Sequence, residues 1–318
     1  MLASAWQNMM IALARSDSLT RHVQRNSRIS SAAKHFVGGP DEDAALRTAL
    51  ELRQRGIRAS LFFLGEYITD PAVTRQTVDS LVRLLPTLDP HGLDTHISVD
   101  PTQIGYAIRA EIGEENALRL AASFPAQHSA RSFLMIDMED ASYVDCTLGL
   151  RSLLASRGVP AATTLQAYLR RTETDLANLL RDRVPCVRLV KGAFSEPARI
   201  AWTRQAEIAE AYLRLAALML SDKARECGLF PVFATHNEAL IDSIRDLARA
   251  SGYAPGEYEF EMLYGVRPAL QAKILAAGDQ LRLYVPYGAH WWPYTARRIG
   301  ENPANLIFVW RALAGRSR

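Results

Sequence analysis

Leu281-Arg282-Leu283-Tyr284-Val285-Pro286-Tyr287-Gly288, followed by His290-Trp291-Trp292-Pro293-Tyr294-Thr295-Ala296-Arg297-Arg298-Ile299-Gly300-Glu301-Asn302, reads as a strand and then a helix. The first run predicts a short buried strand that stops at Pro and Gly. The second predicts a helix starting near Pro293, a residue tolerated in a first helical turn. At helical spacing Tyr294, Arg297, Arg298 and Glu301 share one face. Two adjacent guanidinium groups beside Tyr rings suit a small carboxylate, because Arg offers a planar fork that binds it bidentately. Taken alone, the helix also reads as a solvated face with an Arg298–Glu301 pair.

The same unit repeats upstream. Short apolar runs lie at Ala59–Leu64, Thr95–Val99, Phe133–Met138, Ala161–Leu165, Cys186–Val190, Pro231–Ala234, Tyr258–Leu263 and Leu281–Val285. They are nearly unbroken rather than alternating, as in parallel strands covered by helices. Amphipathic segments separate them, among them Pro71–Leu88, Arg204–Cys227 and Asn237–Ser251. Eight strands, each followed by a helix, predict a (β/α)8 TIM-like barrel, an α/β fold of about 250 residues. Residues 1–56 form an extra N-terminal helical segment and 57–318 the barrel. No linker-like stretch divides 1–318, so a single domain is expected. An open doubly wound sheet would use the same units, but neither GxGxxG nor GxxxxGK[ST] is present.

Composition narrows the function classes. The chain has 318 residues, 48% hydrophobic and 22% charged, which is ordinary for a globular protein. A net charge of +3 with no basic block gives no reason to expect nucleic acid. Cys146, Cys186 and Cys227 lack CxxC spacing, so a reducing cytoplasm is expected and a zinc cluster is not. Seven scattered His residues do not suggest a metal site. No apolar stretch of about 18 residues predicts a membrane span, which leaves peripheral membrane contact open.

In such a barrel, function sits at the C-terminal ends of the strands. Those ends carry Asp100, Asp137, Gln166, Arg188, Lys191, Gly192, Thr235, His236, Asn237 and Tyr284. Asn237 by itself reads first as a helix cap. Arg188 and Lys191 differ, since charge in an apolar strand is costly unless paired or set against an anion. With Gly192 beside them they suggest either a bound anion or electron-rich cofactor, or a buried structural ion pair.

Arg188-Leu189-Val190-Lys191-Gly192-Ala193 and the Tyr-x-x-Arg-Arg-x-x-Glu-Asn helix resemble motifs of the flavin-dependent proline dehydrogenase family. So do Phe62-Phe63-Leu64-Gly65-Glu66, Asp137-Met138-Glu139-Asp140, Gln166-Ala167-Tyr168-Leu169, Phe233-Ala234-Thr235-His236-Asn237 and Glu259-Phe260-Glu261-Met262-Leu263-Tyr264-Gly265. The likeness runs from about residue 36 to 309, in the family's order and spacing. It implies a distorted (β/α)8 barrel, non-covalent FAD, and oxidation of L-proline to Δ1-pyrroline-5-carboxylate with a quinone as electron acceptor. On the resemblance, Arg188, Asp137 and Tyr284 stand at the reacting centre. Met138, Gln166, Arg188, Lys191, Gly192, Ala193, Thr235, His236 and Asn237 hold the cofactor. Arg297 and Arg298 clamp the substrate carboxylate, Glu301 orients them, and Tyr284, Tyr294 and Leu263 wall the pyrrolidine ring.

The match departs at Asp100, where the family usually has Lys near the substrate. This removes a cation and sets a second carboxylate near Asp137, so either the two share a proton or Asp100 turns to another partner such as an Arg. Phe194, where Tyr often follows Lys-Gly-Ala, is a smaller departure. The expected protein is a monofunctional proline dehydrogenase, cytoplasmic or peripheral on the inner membrane face. Asp100 keeps two alternatives in view. One is oxidation of another cyclic or N-alkyl amino acid such as hydroxyproline; the other is a flavin- or proline-binding regulator without turnover.

Overall fold

The computed structural model describes residues 35–65 and 67–301, with the backbone alone at 297 and 299–301. The expected helical reading of residues 1–34 lies outside the described residues. In chain order the elements are α1 (Glu42–Gln54), β1 (Arg58–Phe63), α2 (Pro71–Leu88), β2 (His96–Val99), α3 (Ala110–Ser123), β3 (Phe133–Ile136), α4 (Val144–Ala155), β4 (Ala161–Gln166), α5 (Thr172–Arg181), β5 (Cys186–Val190), α6 (Gln205–Met219), α7 (Asp222–Glu226), β6 (Phe230–Ala234), α8 (Glu238–Ala250), β7 (Glu259–Leu263), α9 (Pro268–Ala276), β8 (Leu281–Tyr287) and α10 (Trp291–Glu301). All neighbouring strands pair in parallel. β8 pairs with β1 from Arg58↔Arg282 to Phe63↔Tyr287, which closes the barrel.

Local chemistry explains the elements. α2 starts at Asp70, whose side chain accepts from Ala72 N–H at 2.8 Å, with Pro71 at the first helical position. Its Val78, Leu81, Leu84, Leu85 and Leu88 are buried on one face against the sheet. Burying each such side chain contributes about 1.5–3 kcal/mol. Along β3, Leu134 and Ile136 face these helices, while Phe133 and Met135 pack in a separate cluster with Ala162, Cys186, Phe230 and Val232. Successive strand residues point to opposite faces, so this second cluster fills the lumen.

The strands therefore alternate more than their apolar look suggests. The inward set also includes Ser60, Ser98, Thr164, Arg188, Glu261 and Arg282, all nearly inaccessible to solvent. At the N-terminal end of the lumen, Arg282 pairs with Glu259 at 2.5 Å and Asp94 at 3.0 Å and donates to Ala59 O at 2.7 Å.

Most strand ends shift by one or two residues from expectation, and three boundaries differ for a physical reason. The segment 204–227 is two helices, because Ser221 caps a new one by accepting from Ala224 N–H at 3.3 Å. β8 runs through Pro286 to Tyr287. The Tyr287 carbonyl faces β1 and accepts from Leu64 N–H at 2.7 Å, whereas that of Pro286 faces the other way and accepts from Gly38 N–H at 2.8 Å. On that side β7 has already ended, its last partner being Tyr284, so the missing Pro N–H costs no ladder bond. α10 begins at Trp291, two residues before the expected start, which leaves Pro293 in its first turn. No described helix is long and apolar enough to cross a membrane.

Candidate active site

Arg188 occupies the centre of the lumen below the C-terminal strand ends. Its guanidinium donates to Ser60 Oγ at 3.1 Å, Ser98 Oγ at 3.0 Å and Thr164 Oγ1 at 3.4 Å, and bonds Asp137 Oδ1. It also pairs with Glu261 Oε1 at 3.0 Å. These partners come from β1, β2, β4, the end of β3, and β7. Asp137 accepts further from Thr164 Oγ1 and from Tyr284 Oη, each at 2.9 Å. Burial weakens the hold of Arg188 on its proton, but Glu261 and Asp137 outweigh it and push the pKa up. Burial, then the charges of Asp137 and Asp100, holds Tyr284 well above the ordinary phenol range, so it stays a neutral donor.

Three buried polar atoms in this region have no hydrogen-bond partner among the described residues: Arg188 Nε, Glu261 Oε2 and Gln166 Oε1. Gln166 commits its amide nitrogen to the carbonyls of Met138 and Glu139, each at 3.2 Å, which leaves its oxygen orphaned. Each orphan costs about 1–3 kcal/mol unless something enters to satisfy it. Burial raises Glu261 to about 7, with Arg188 and Arg282 acting in the opposite sense.

The rim is built by strand extensions. Val190 O and Lys191 O accept from Ala167 and Tyr168 N–H at 2.8 and 3.0 Å, carrying the β4–β5 pairing outward. Gly192 then turns at φ +109°, where a Cβ would lie 2.2 Å from the Tyr168 ring. Only glycine fits that backbone and that approach. Lys191 and Ala193 are exposed at the mouth. Beside them, at the end of β6, Asn237 Oδ1 caps α8, accepting from Ala239 and Leu240 N–H at 3.0 and 3.4 Å, and Thr235 Oγ1 accepts from Asn237 N–H at 3.1 Å. The cap reading of Asn237 is thus correct, although the residue also lines the cavity. His236 Nε2 accepts from Leu263 N–H at 3.0 Å. Burial and then the charges of Arg298 and Arg267 lower its pKa to about 4, so it is neutral with its proton on Nδ1.

α10 closes one side. Tyr294 is buried, and the Arg298 guanidinium lies 5.2 Å from the centre of its ring. Tyr284 packs against Phe62 at 5.3 Å between ring centres. A cavity of about 790 Å³ joins these parts. It is lined by Asp100, Asp137, Met138, Gln166, Arg188, Lys191, Gly192, Ala193, Thr235, His236, Asn237, Leu263, Tyr284, Tyr294 and Arg298. The side chains of Arg297 and Glu301, also expected at the site, lie outside the described residues. Asp100 is buried and faces the cavity with Asp137. Glu261, Thr164, Arg267 and Phe62 line it too and were not among the residues expected there. The sequence signal for Glu261 was an acid at an inward position of a largely apolar strand, two residues after Glu259 and inside the Glu259–Gly265 motif.

The likeness to known proteins covers most of the chain. Residues 45–311 match the family described as proline dehydrogenase. The proline dehydrogenase of Deinococcus radiodurans is 35% identical over 280 residues, 87% of this chain and 88% of its own length. Proline dehydrogenase 2 of Bacillus subtilis is 29% identical over 308 residues, 96% of this chain and 98% of its own. Among solved structures, proline utilization A from Bdellovibrio bacteriovorus, inactivated by N-propargylglycine, superposes with a TM-score of 0.78 at 21% identity, covering 99% of this chain and 38% of that one. At that identity the superposition speaks for the fold alone. A closed parallel barrel with a charged lumen and a family match over most of its length make this chain a member of the proline dehydrogenase family, an oxidoreductase acting on proline.

Proposed function

We propose that the chain oxidises L-proline to Δ1-pyrroline-5-carboxylate with non-covalently bound FAD and passes the electrons to a quinone. The observation that carries this is the set of orphaned polar atoms, Arg188 Nε, Gln166 Oε1 and Glu261 Oε2, in a region that opens on one large cavity beside the tight Gly192 turn. A polar ligand with both donors and acceptors would satisfy them, and a cavity of about 790 Å³ falls in the range of cofactor sites. Gln166, Lys191, Gly192, Ala193 and the Met138 backbone would hold the ring system, with Thr235, neutral His236 and Asn237 on the ribityl and phosphate side. When bound, FAD supplies the hydride acceptor.

The protein's part is binding, orientation and charge. Arg298 together with Arg297 would grip the carboxylate, Tyr294, Tyr284 and Leu263 would wall the pyrrolidine ring, and Glu301 would steady the arginines. That fixes the reacting carbon in one place, and fixed geometry is worth several kcal/mol of barrier. Asp137 positions both Arg188 and Tyr284 through the bonds given above. Cations around the site disfavour the ammonium form of the substrate and favour the free amine. Arg188 and Lys191 would stabilise negative charge as it develops in the cavity.

The test is direct. Purified protein incubated with FAD should turn yellow, bleach with L-proline and reduce a quinone analogue. A colourless protein overturns the flavin reading. A yellow protein bleached by another imino acid and not by proline moves the substrate, with Asp100 as the first residue to exchange.

A further inference from the structure

Two carboxylates share the one guanidinium at the centre of the lumen, and they are not equivalent. Both oxygens of Asp137 are occupied, by Arg188, Thr164 Oγ1 and Tyr284 Oη. Among the described residues Glu261 has a single donor, Arg188 at 3.0 Å, and its Oε2 is buried with no partner. The charged and titratable groups around Glu261 are Arg188 and Cys186 from β5, Arg282 from β8, Glu259 from β7 itself, Asp137 from the end of β3, and Tyr212 from α6. The adjoining strand β6 offers only Phe230, Pro231, Val232, Phe233 and Ala234, none of them titratable. Burial therefore presses Glu261 toward its neutral form, and Oε2 is the atom with room for the proton. Glu261 also lines the cavity, so charge arriving there is felt without intervening solvent.

We propose that Glu261 is the proton store of this site, taking up one proton from solvent as negative charge accumulates in the cavity on reduction and returning it on reoxidation. The inference rests on the flavin reading above. The step is a protonation alone: an O–H bond forms on Oε2, no heavy-atom bond changes, and the electrons remain with the reduced group. Through its bond to Arg188, Glu261 is a positioning residue that sets how much positive charge the guanidinium presents. Holding Glu261 near pH 7 supports the same view, since a small added negative charge then suffices to tip it.

The test is infrared difference spectroscopy of the flavin-loaded protein, reduced chemically with dithionite at slightly alkaline pH. Reduction should produce the carbonyl band of one protonated carboxylic acid, shifted in D2O and lost in E261Q. E261Q should also lose one proton of uptake per flavin reduced. Absence of the band in the wild type, or the same band in E261Q, overturns the proposal. Should E261Q fail to fold, isotopic labelling of glutamate carboxyls assigns the band, and a band unmoved by the label counts against it. If the protein binds no flavin, the flavin reading falls separately. An infrared pH titration of the flavin-free chain then decides: an acid band with a near-neutral midpoint, shifted by glutamate labelling, supports the store, and its absence overturns it.

Discussion

Gly192 leaves the site no alternative at its position. Its φ of +109° is open to glycine, and a methyl group there would sit 2.2 Å from Tyr168 Cδ1. Gly192→Ala should therefore bend the β5 rim or displace Tyr168, at a cost of about 1–3 kcal/mol. Flavin titration by absorbance should show clearly weaker binding, with Tm lowered in parallel. Tyr284→Phe acts more gently. It deletes the donor to Asp137 Oδ2, at 2.9 Å, and keeps the ring against Phe62. Stability should fall by about 0.5–1.5 kcal/mol, and denaturant midpoints will read that loss. At this scale the sequence shows Arg188 plainly, because a cation in an apolar strand needs a reason. It hides Glu261, because the reason for that acid is an arginine 73 positions away in the chain and two strands over in the sheet.

Elements were more legible than their ends. All eight expected strands are present, and α2 begins and ends where its apolar spacing predicts. The split between α6 and α7 was readable in principle, since Ser221-Asp222 is a capping signal inside an otherwise continuous apolar pattern. The run through Pro286 was not, because it depends on β7 ending early on the adjacent side. The ion cluster at the base of the barrel gives the element-scale prediction. Arg282 is fully buried and ties β8 to β7 through Glu259 and to β1 through Ala59 O. Arg282→Met would leave Glu259 buried without its partner and Asp94 with Arg58 and the Ser129 hydroxyl. Stability should drop by about 3–5 kcal/mol in chemical denaturation, while kcat of the folded protein changes far less, because Arg282 does not line the cavity and reaches it only through its charge on Glu261.

Closure of the barrel is what assembles the site. Residues scattered from Phe62 to Arg298 meet in one cavity only because β8 returns to β1. Strand-end position alone thus located most of the expected residues, whereas the charge balance among them appears only in three dimensions. That balance predicts how the whole molecule responds to pH. Glu261, raised to about 7 from an ordinary 4.5, binds its proton more tightly folded than unfolded. It stabilises the fold fully below 4.5, and that contribution is lost as pH rises through about 7. His236, lowered to about 4 from 6.5, has the opposite sign: its contribution is present above 6.5 and is lost as pH falls through about 4. Between about 4.5 and 6.5 the two slopes oppose, each at most about 1.4 kcal/mol per pH unit. Relative to wild type, E261Q should therefore gain stability as pH rises across that window, and His236→Asn should lose it. Guanidinium denaturation of the flavin-free chain at several pH values measures both differences. Parallel curves for wild type and E261Q would mean that Glu261 titrates as an ordinary acid, and parallel curves for wild type and His236→Asn would mean the same for the imidazole.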